Sequence, residues 1–311
     1  MKNLKVIFVN SIDFDSNVDD LPLGLMILDK ICRENSYDSE IVDFGTLLKK
    51  GLFDKNCDLD SLIDQMADHL LLKEADVIAF YSLCDTFHIS VLLSKRISEK
   101  SDTIIIFGGP QATLAHEDIL KSFRWINYIG LNEGENTIVS ILKGIEENNQ
   151  EIMKGVAFLD RKGEICSRFE NMIQEEDLMA IDYSAADMEN VSSVPIDIGR
   201  GCPFQCTYCS TKTFWKQQFR LKPVNKIVKE ISTLKKKYKK RTFSLVHDLF
   251  TVSKKRVMEF CDALLNQKMG IDWYCSSRLD TLDAVKIFLS FDPLQRYHGT
   301  NRYGFVWFLA G

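Results

Sequence analysis

Three cysteines, Cys202, Cys206 and Cys209, fall within eight residues of one another in the stretch VPIDIGRGCPFQCTYCST, residues 194–211. The C-x3-C-x2-C spacing puts three thiols on one loop, where their thiolates can converge on a single metal centre. Structural zinc takes four closed ligands, commonly from paired C-x2-C units. The chain has no second C-x2-C and no H-x3-H partner. A cubane iron–sulfur cluster is held by thiolates. With three of them from the protein, one iron stays open to a substrate or cofactor. A zinc knuckle and three incidental cysteines are the alternatives to that reading.

In these residues the chain resembles the radical S-adenosylmethionine (SAM) superfamily, whose signature is C-x3-C-x-aromatic-C. Tyr208 fills the aromatic place before Cys209, and Gly199-Arg200-Gly201 and Cys202-Pro203 fit the same pattern. The resemblance implies a 4Fe–4S cluster on Cys202, Cys206 and Cys209. It implies that the open iron chelates the amino and carboxylate groups of SAM. One electron, from an external donor such as flavodoxin or ferredoxin, would then cleave SAM to a 5′-deoxyadenosyl radical, which abstracts hydrogen from an unactivated carbon. The ligand count agrees, because a fully ligated cluster transfers electrons but cannot hold SAM.

The elements that follow must position this loop. Apolar spacing predicts a helix over 223–238, a strand over 242–250, a helix over 253–268 with Val257, Phe260 and Leu264 on one stripe, and a strand over 271–280. This succession resembles the first three βα units of the radical SAM partial (β/α) barrel. In that family the end of the second strand approaches the SAM amino group, which points here to His247 and Asp248, although the usual GGE-like motif is absent. Arg278, at the end of the third strand, faces either a carboxylate or solvent. With Tyr208 these are the candidate SAM-binding residues, and no catalytic residue is assigned. The lysines from Lys222 to Lys240 read as the solvated face of a barrel helix rather than as a nucleic-acid patch, because Val224, Ile227, Val228, Ile231 and Leu234 form an apolar stripe beside them. Phe214 and Trp215 read as core.

The first half alternates short apolar strands with amphipathic helices. Strands are expected at 4–10, 40–44, 76–82, 103–110 and 128–135, with helices at 22–35 and 61–73, one after the 76–82 strand running through 91–100, and one at 136–147. That alternation implies an α/β fold with a doubly wound, Rossmann-like, mostly parallel sheet, which binds ligands at the carboxyl ends of its strands. Those ends carry Asn10, Ser82-Leu83, Gly108-Gly109-Pro110 and Glu133-Gly134-Glu135. The glycines either let a flat ligand approach the backbone or simply make tight turns. Neither GxGxxG nor a Walker A loop is present.

Beside the cysteine motif, this half resembles the cobalamin-binding domain that precedes many radical SAM enzymes. LPLGLMIL and the last three of those strand-end groups fit that pattern, and the resemblance implies that Ser82, Leu83, Gly108, Gly109, Pro110, Glu133, Gly134 and Glu135 line a cobalamin site. The DxHxxG motif, whose histidine ligates cobalt from below, is absent, and His88 is expected well inside a helix. Cobalamin would then bind without that lower ligand, or the domain would bind nothing. The implied activity is a cobalamin-dependent radical SAM enzyme, foremost a methyltransferase acting on an unactivated carbon. Rearrangement, methylthio transfer and a non-catalytic iron–sulfur fragment are the alternatives. Its substrate is a small molecule or peptide that the sequence does not specify.

The domain plan is therefore a cobalamin-binding-like domain over 1–150, a hairpin (155–169, turning at Asp160–Gly163) and linker over 151–193, and a radical SAM domain over 194–311. The last provides three or four βα units. Residues 284–311 lose the helix–strand rhythm, although YGFVWFLAG offers a fourth strand, and a truncation or frameshift after about Asp283 is the expectation. The 311 residues are 45% hydrophobic and 27% charged, with a net charge of −5, which argues against disorder, a nucleic-acid coat or a basic membrane-surface protein. No apolar run reaches the roughly 18–20 residues of a membrane span, and the N-terminus makes a poor signal peptide, so a cytoplasmic protein is expected. Six of the nine cysteines, Cys32, Cys57, Cys84, Cys166, Cys261 and Cys275, read as small core residues without disulfides.

Overall fold

A computed structural model describes residues 4–12, 21–54, 56–278, 281 and 305–308. The chain divides into two compact units, the first ending at Met172 and the second running on from Ile173.

The first unit is built on a seven-stranded sheet of order β2-β1-β3-β4-β5-β6-β7. Its strands are β1 (Lys5–Asn10), β2 (Asp38–Asp43), β3 (Val77–Tyr81), β4 (Ile104–Gly108), β5 (Tyr128–Gly130), β6 (Val156–Leu159) and β7 (Ile165–Arg168). The first five are parallel, and the last two join antiparallel at the β5 edge. Helices α1 (Leu23–Glu34), α2 (Phe44–Lys49), α3 (Leu59–Leu71), α4 (Phe87–Lys100), α5 (Pro110–Leu114), α6 (His116–Ser122) and α7 (Gly134–Glu146) alternate with them. The central strands are apolar in both directions: Val6, Ile7, Phe8 and Val9 of β1 are all buried. A strand covered on both faces needs such a continuous run. Stacked Phe80 and Phe107, with ring centroids 5.2 Å apart, fill the space between neighbouring strands and the helix layer. Asp58 caps α3 by accepting the Ser61 amide.

Several expected boundaries move. The strand predicted at 128–135 stops at Gly130, and Glu133 is already the N-cap of α7. Glycine and asparagine end it: Asn132 takes a left-handed φ of 59°. Helices α2, α5 and α6 were not foreseen, because each is only one or two turns long and too short to show a period. His88 lies in the first turn of α4, exposed, rather than deep in a helix. The expected hairpin is present, with its turn closed by the Gly163 amide on the Asp160 carbonyl at 2.9 Å. It belongs to the first sheet rather than to a separate linker, because the β6 backbone needs β5 as a partner. Of the six cysteines expected in the core, only Cys32 and Cys275 are buried. Cys57, Cys166 and Cys261 are half-buried and Cys84 is exposed, since it follows β3 in a turn rather than a strand.

In the second unit, β8 (Val194–Asp197) leads through Ile198 into a two-residue strand β9 (Gly199–Arg200). After the cysteine loop come α8 (Thr211–Phe214), β10 (Arg220–Leu221), α9 (Val224–Tyr238), β11 (Thr242–Val246), α10 (Lys254–Asn266), β12 (Asp272–Ser277) and β13 (Phe305–Phe308). Four of the strands make a parallel sheet of order β13-β12-β11-β8. The fourth strand expected near the chain end is thus β13; the other residues of 284–311 lie outside those described. Along β11 and β12 buried and half-exposed residues alternate, with Phe243, Leu245, Trp273 and Cys275 on the dry side. Phe250, Phe260 and Trp273 interlock edge to face at 5.2–6.0 Å and seat α10 on that side. The strand expected over 242–250 ends at Val246, where His247 and Asp248 bend away. Phe214 is buried as expected, and Trp215 is half-buried against it, ring centroids 4.6 Å apart. Among the described residues no helix is long and apolar enough to cross a membrane.

Candidate functional sites

The strand order β2-β1-β3-β4-β5 places the reversal of winding between β1 and β3, and open α/β sheets bind ligands at such a carboxyl edge. Three of the predicted groups leave neighbouring strands at this edge. Ser82 follows β3 and is fully buried, yet its Oγ has no hydrogen-bond partner. Its backbone is tied down, with its amide on the Gly108 carbonyl at 2.8 Å and its carbonyl accepting from Gln111 at 3.1 Å. A buried hydroxyl with no partner is costly unless something else meets it. Leu83 is half-buried, its amide 3.4 Å from Thr86 Oγ1.

The glycine pair divides into two functions. Gly109 has φ +97°, and a Cβ there would lie 2.9 Å from the Ser82 carbonyl oxygen and 2.9 Å from the Tyr81 ring. Only glycine makes this turn, after which Pro110 opens α5. Gly108 has no atom within 4 Å of where its Cβ would stand, so the surface above it is open. At the end of β5, Glu133 and Glu135 are buried and flank Gly134, whose Cβ position is nearest the Leu28 side chain, at 3.0 Å. Asn132, which the sequence reading missed, presents a buried Nδ2 without a partner, while its amide donates to Thr113 Oγ1 at 3.0 Å. An asparagine before a helix reads as ordinary turn chemistry, so no sequence signal distinguished it. Burial pushes the Tyr81 phenol above its ordinary range, and Asp85 adds to this. An orphaned hydroxyl and amide on strand ends that share an edge with an open glycine fit a flat, polar-rimmed cofactor such as cobalamin.

The cysteine loop in the second unit is closed by a clip. Residues 199–200 pair antiparallel with 220–221, so the loop leaves and returns at one place. Gly201 has φ +83°, and a Cβ there would collide with the Gln218 carbonyl oxygen. Glycine at this position lets the two ends of the loop touch. Within the loop Cys202, Cys206 and Cys209 are half-buried free thiols, while Pro203, Gln205, Thr207 and Tyr208 between them face solvent. The Cys209 amide donates to the Cys206 carbonyl at 3.2 Å. Burial raises the Cys202 thiol, with Asp248 and the other two cysteines adding to the effect. As they stand, no three His, Cys, Asp or Glu side chains among the described residues close around a metal position. The donor set itself, three unpaired thiols on one closed loop, fits an iron–sulfur cluster and lacks the fourth ligand of structural zinc.

The predicted SAM-binding residues separate. Tyr208 is 78% exposed beside Cys209. Asp248 is exposed and accepts from Thr211 Oγ1 at 3.4 Å, at the start of the helix that follows the loop. Arg278 reaches the loop, with Nη1 3.1 Å from Cys206 Sγ and its guanidinium 4.2 Å from the Phe204 ring centre. His247 instead packs inward, 7% exposed, its ring 5.4 Å from that of Phe219. Its Nδ1 accepts the Leu249 amide at 2.9 Å, which leaves the proton on Nε2. That buried Nε2 lies near the Arg200 backbone without a well-formed hydrogen bond. Burial lowers this imidazole below its ordinary value, against the pull of Asp248 and Asp197.

One charged group was misread. Lys222, counted among the solvated lysines, is 2% exposed and pairs with Asp197 at 3.2 Å. It sits just past the clip, its amide on the Ile198 carbonyl at 2.9 Å. Glu230 of α9 lies close enough to feel this lysine, and burial raises its carboxyl. Tyr183 completes the group by donating to the Pro195 carbonyl at 2.6 Å. The run of lysines that follows masked Lys222, because nothing in its local spacing differs.

No family model matches the chain. Among curated proteins it is 25% identical over 266 residues to an anaerobic magnesium-protoporphyrin IX monomethyl ester cyclase of Cereibacter sphaeroides, covering 79% of this chain and 43% of the cyclase. Among solved structures it matches the cobalamin-dependent S-adenosylmethionine radical enzyme OxsB, solved with aqua-cobalamin and SAM, at TM-score 0.71 and 18% identity, over 92% of this chain and 40% of that one. It also matches the radical S-adenosylmethionine methyltransferase TsrM of Kitasatospora setae, solved with cobalamin and a 4Fe–4S cluster, at TM-score 0.67 and 12% identity, over 89% and 55%. The chain thus has the fold of the cobalamin-dependent radical SAM enzymes. It carries the radical SAM cysteine signature within that fold, and it spans less than half the length of the cyclase and of OxsB.

Proposed function

We propose that this chain is the cofactor-holding part of a cobalamin-dependent radical SAM enzyme that methylates an unactivated carbon. The observation that carries the reading is the closed loop of three free, half-buried thiols at Cys202, Cys206 and Cys209. Those thiolates would hold a 4Fe–4S cluster. The Ser82 hydroxyl, the Asn132 amide and the open surface at Gly108 would hold cobalamin. Tyr208 and Asp248 stand exposed at the loop, where SAM would have to dock. Bound together, these cofactors supply one-electron chemistry and a transferable methyl group. The chain's own residues fix the loop ends, present donors and exclude side chains from the cofactor surface. A reduced flavodoxin or ferredoxin in the cytoplasm serves as electron source in this reading, and the acceptor is a small molecule or peptide.

The cyclase among the relatives favours a second reading, in which the same cofactors serve ring closure or rearrangement.

Anaerobic reconstitution tests the proposal. About four irons per chain, lost when Cys206 becomes alanine, together with retained cobalamin, are expected. With SAM and a reductant the protein should release 5′-deoxyadenosine, and the Cys206→Ala variant should not. Stoichiometric zinc in place of iron sinks the radical reading. Deoxyadenosine release without methyl transfer to any acceptor moves the weight to ring closure.

A further inference from the structure

We propose that Arg278 is a positioning residue that sets the reduction potential of the cluster by donating a hydrogen bond to the Cys206 sulfur. The proposal rests on the reading that the three cysteines hold a cluster. From the sequence, Arg278 faces a SAM carboxylate or solvent. The structure instead aims its Nη1 at Cys206 Sγ, 3.1 Å away.

Both ends of the residue are held. The guanidinium lies over the ring of Phe204, 4.2 Å from its centre, and Phe204 sits two residues before Cys206 on the same loop. A cation over an aromatic face is attracted to it, and the planar guanidinium stacks well there. At the other end the Arg278 carbonyl accepts from the Thr281 amide at 3.1 Å, from Thr281 Oγ1 at 2.8 Å and from Ser277 Oγ at 3.3 Å. Thr251 Oγ1 stands 2.5 Å from Ser277 Oγ and 2.7 Å from Thr281 Oγ1. Ser277 and Thr251 are buried at 1% and 4% exposure. Hydroxyls that could have been apolar core are therefore used to fix one backbone carbonyl at the end of β12. The result is a cation whose root and tip are both fixed, directed at a ligand sulfur.

Hydrogen bonds and charge at the ligand sulfurs are among the levers that tune cluster potential. Reduction adds negative charge to the cluster and its thiolates. A positive donor on one of them stabilises the reduced form more than the oxidised form, so Arg278 raises the potential and makes the cluster easier to reduce. A SAM-binding role would act differently, by changing SAM affinity and leaving the SAM-free potential alone.

The test is a redox titration of the reconstituted protein without SAM, followed by electron paramagnetic resonance, on wild type, Arg278→Gln, Arg278→Lys and Phe204→Leu. Arg278→Gln is expected to lower the reduced-to-oxidised ratio about tenfold at a fixed potential, a midpoint about 59 mV lower for a one-electron couple. Arg278→Lys keeps the charge without the flat fork and should fall between the two. Phe204→Leu removes the stacking platform but not the donor and should shift the midpoint less, in the same direction. Iron and sulfide content reports whether each variant has loaded its cluster. A glutamine variant with full iron and the wild-type midpoint overturns the inference while leaving the proposed function intact. If glutamine also weakens SAM binding at that unchanged midpoint, the carboxylate role replaces it. A wild-type protein that takes up no four-iron cluster fails the underlying reading instead.

Discussion

Gly108 and Gly109 are neighbours with opposite tolerances, and the contrast can be measured. Gly109 combines φ +97° with a would-be Cβ 2.9 Å from a backbone oxygen and 2.9–3.0 Å from two atoms of the Tyr81 ring. An L-residue held in such a conformation costs about 1–3 kcal/mol. Forcing a methyl group into a filled site adds about 1–3 kcal/mol. Gly109→Ala should therefore lose about 2–6 kcal/mol. At about 2–4 °C per kcal/mol for a domain of this size, the transition of the first unit should drop by at least about 4 °C. Gly108 has neither a positive φ nor an atom within 4 Å of its Cβ position. Gly108→Ala should melt within about 2 °C of wild type, or slightly above it, since alanine also restricts the unfolded chain. Its new methyl group would project into the open surface proposed for cobalamin, so it should retain much less cobalamin. Calorimetry on both variants and cobalamin per chain after reconstitution give the answer. A Gly108→Ala protein that keeps its full cobalamin refutes the assignment of this strand edge, and a Gly109→Ala protein that melts with wild type refutes the strain argument.

Gly201→Ala should abolish cluster loading, because the Cβ would strike the Gln218 carbonyl and open the loop; iron should vanish while cobalamin stays. Lys222→Ala should cost about 3–5 kcal/mol in urea denaturation by stranding buried Asp197. Adding Asp197→Asn should recover part of that loss. Burial holds His247 below 6.5, so beneath that pH the unfolded chain takes up a proton that the folded chain refuses. Stability should therefore fall as pH drops below about 6.5, and His247→Asn, which keeps an acceptor for the Leu249 amide, should remove that slope. Glu230, raised above 4.5, works in the opposite sense: its contribution is present below 4.5 and is lost as pH rises through its higher folded value. The His247 comparison is therefore cleanest in a Glu230→Gln background.

The parts of this molecule that were legible in the sequence are those whose physics is local. A short run such as Val6–Val9, rich in β-branched residues, reads as a strand covered on both faces, and three cysteines in eight residues read as one ligand set. The Asp160–Gly163 turn likewise announced its hairpin. What stayed hidden depends on distant partners. Lys222 looks like any lysine before a basic helix until Asp197 is folded against it. Arg278 and Phe204 are separated by more than seventy residues, so no spacing rule joins them. The extent of the 128–135 and 242–250 strands was overestimated for a related reason. Past Val246 the apolar Leu249 and Phe250 extend the pattern although the ladder has stopped, and past Gly130 the chain turns at Asn132 into a helix cap that the strand reading absorbed. His247 was placed correctly at a strand end, but which way it turns is decided by Phe219 and Leu249 rather than by its own neighbourhood in sequence.

The sheet of the first unit has one weak member. Strand β5 is three residues long, yet it alone connects the parallel strands to the antiparallel hairpin, pairing with β4 on one side and β6 on the other. Two backbone pairs to β4 give such a short strand little to hold it before β6 arrives. A chain emerging from the ribosome at about 5–20 residues per second must therefore wait a few seconds after Gly130 before Arg168 exists and the hairpin can dock. During that interval β4 presents a bare edge made of Ile104, Ile105, Ile106 and Phe107. That edge is the kind of surface on which partly made chains stick to one another. The late hairpin acts as the closing stroke of folding for this unit, and slow synthesis between 130 and 168 would lengthen the time for which the nascent chain needs a chaperone.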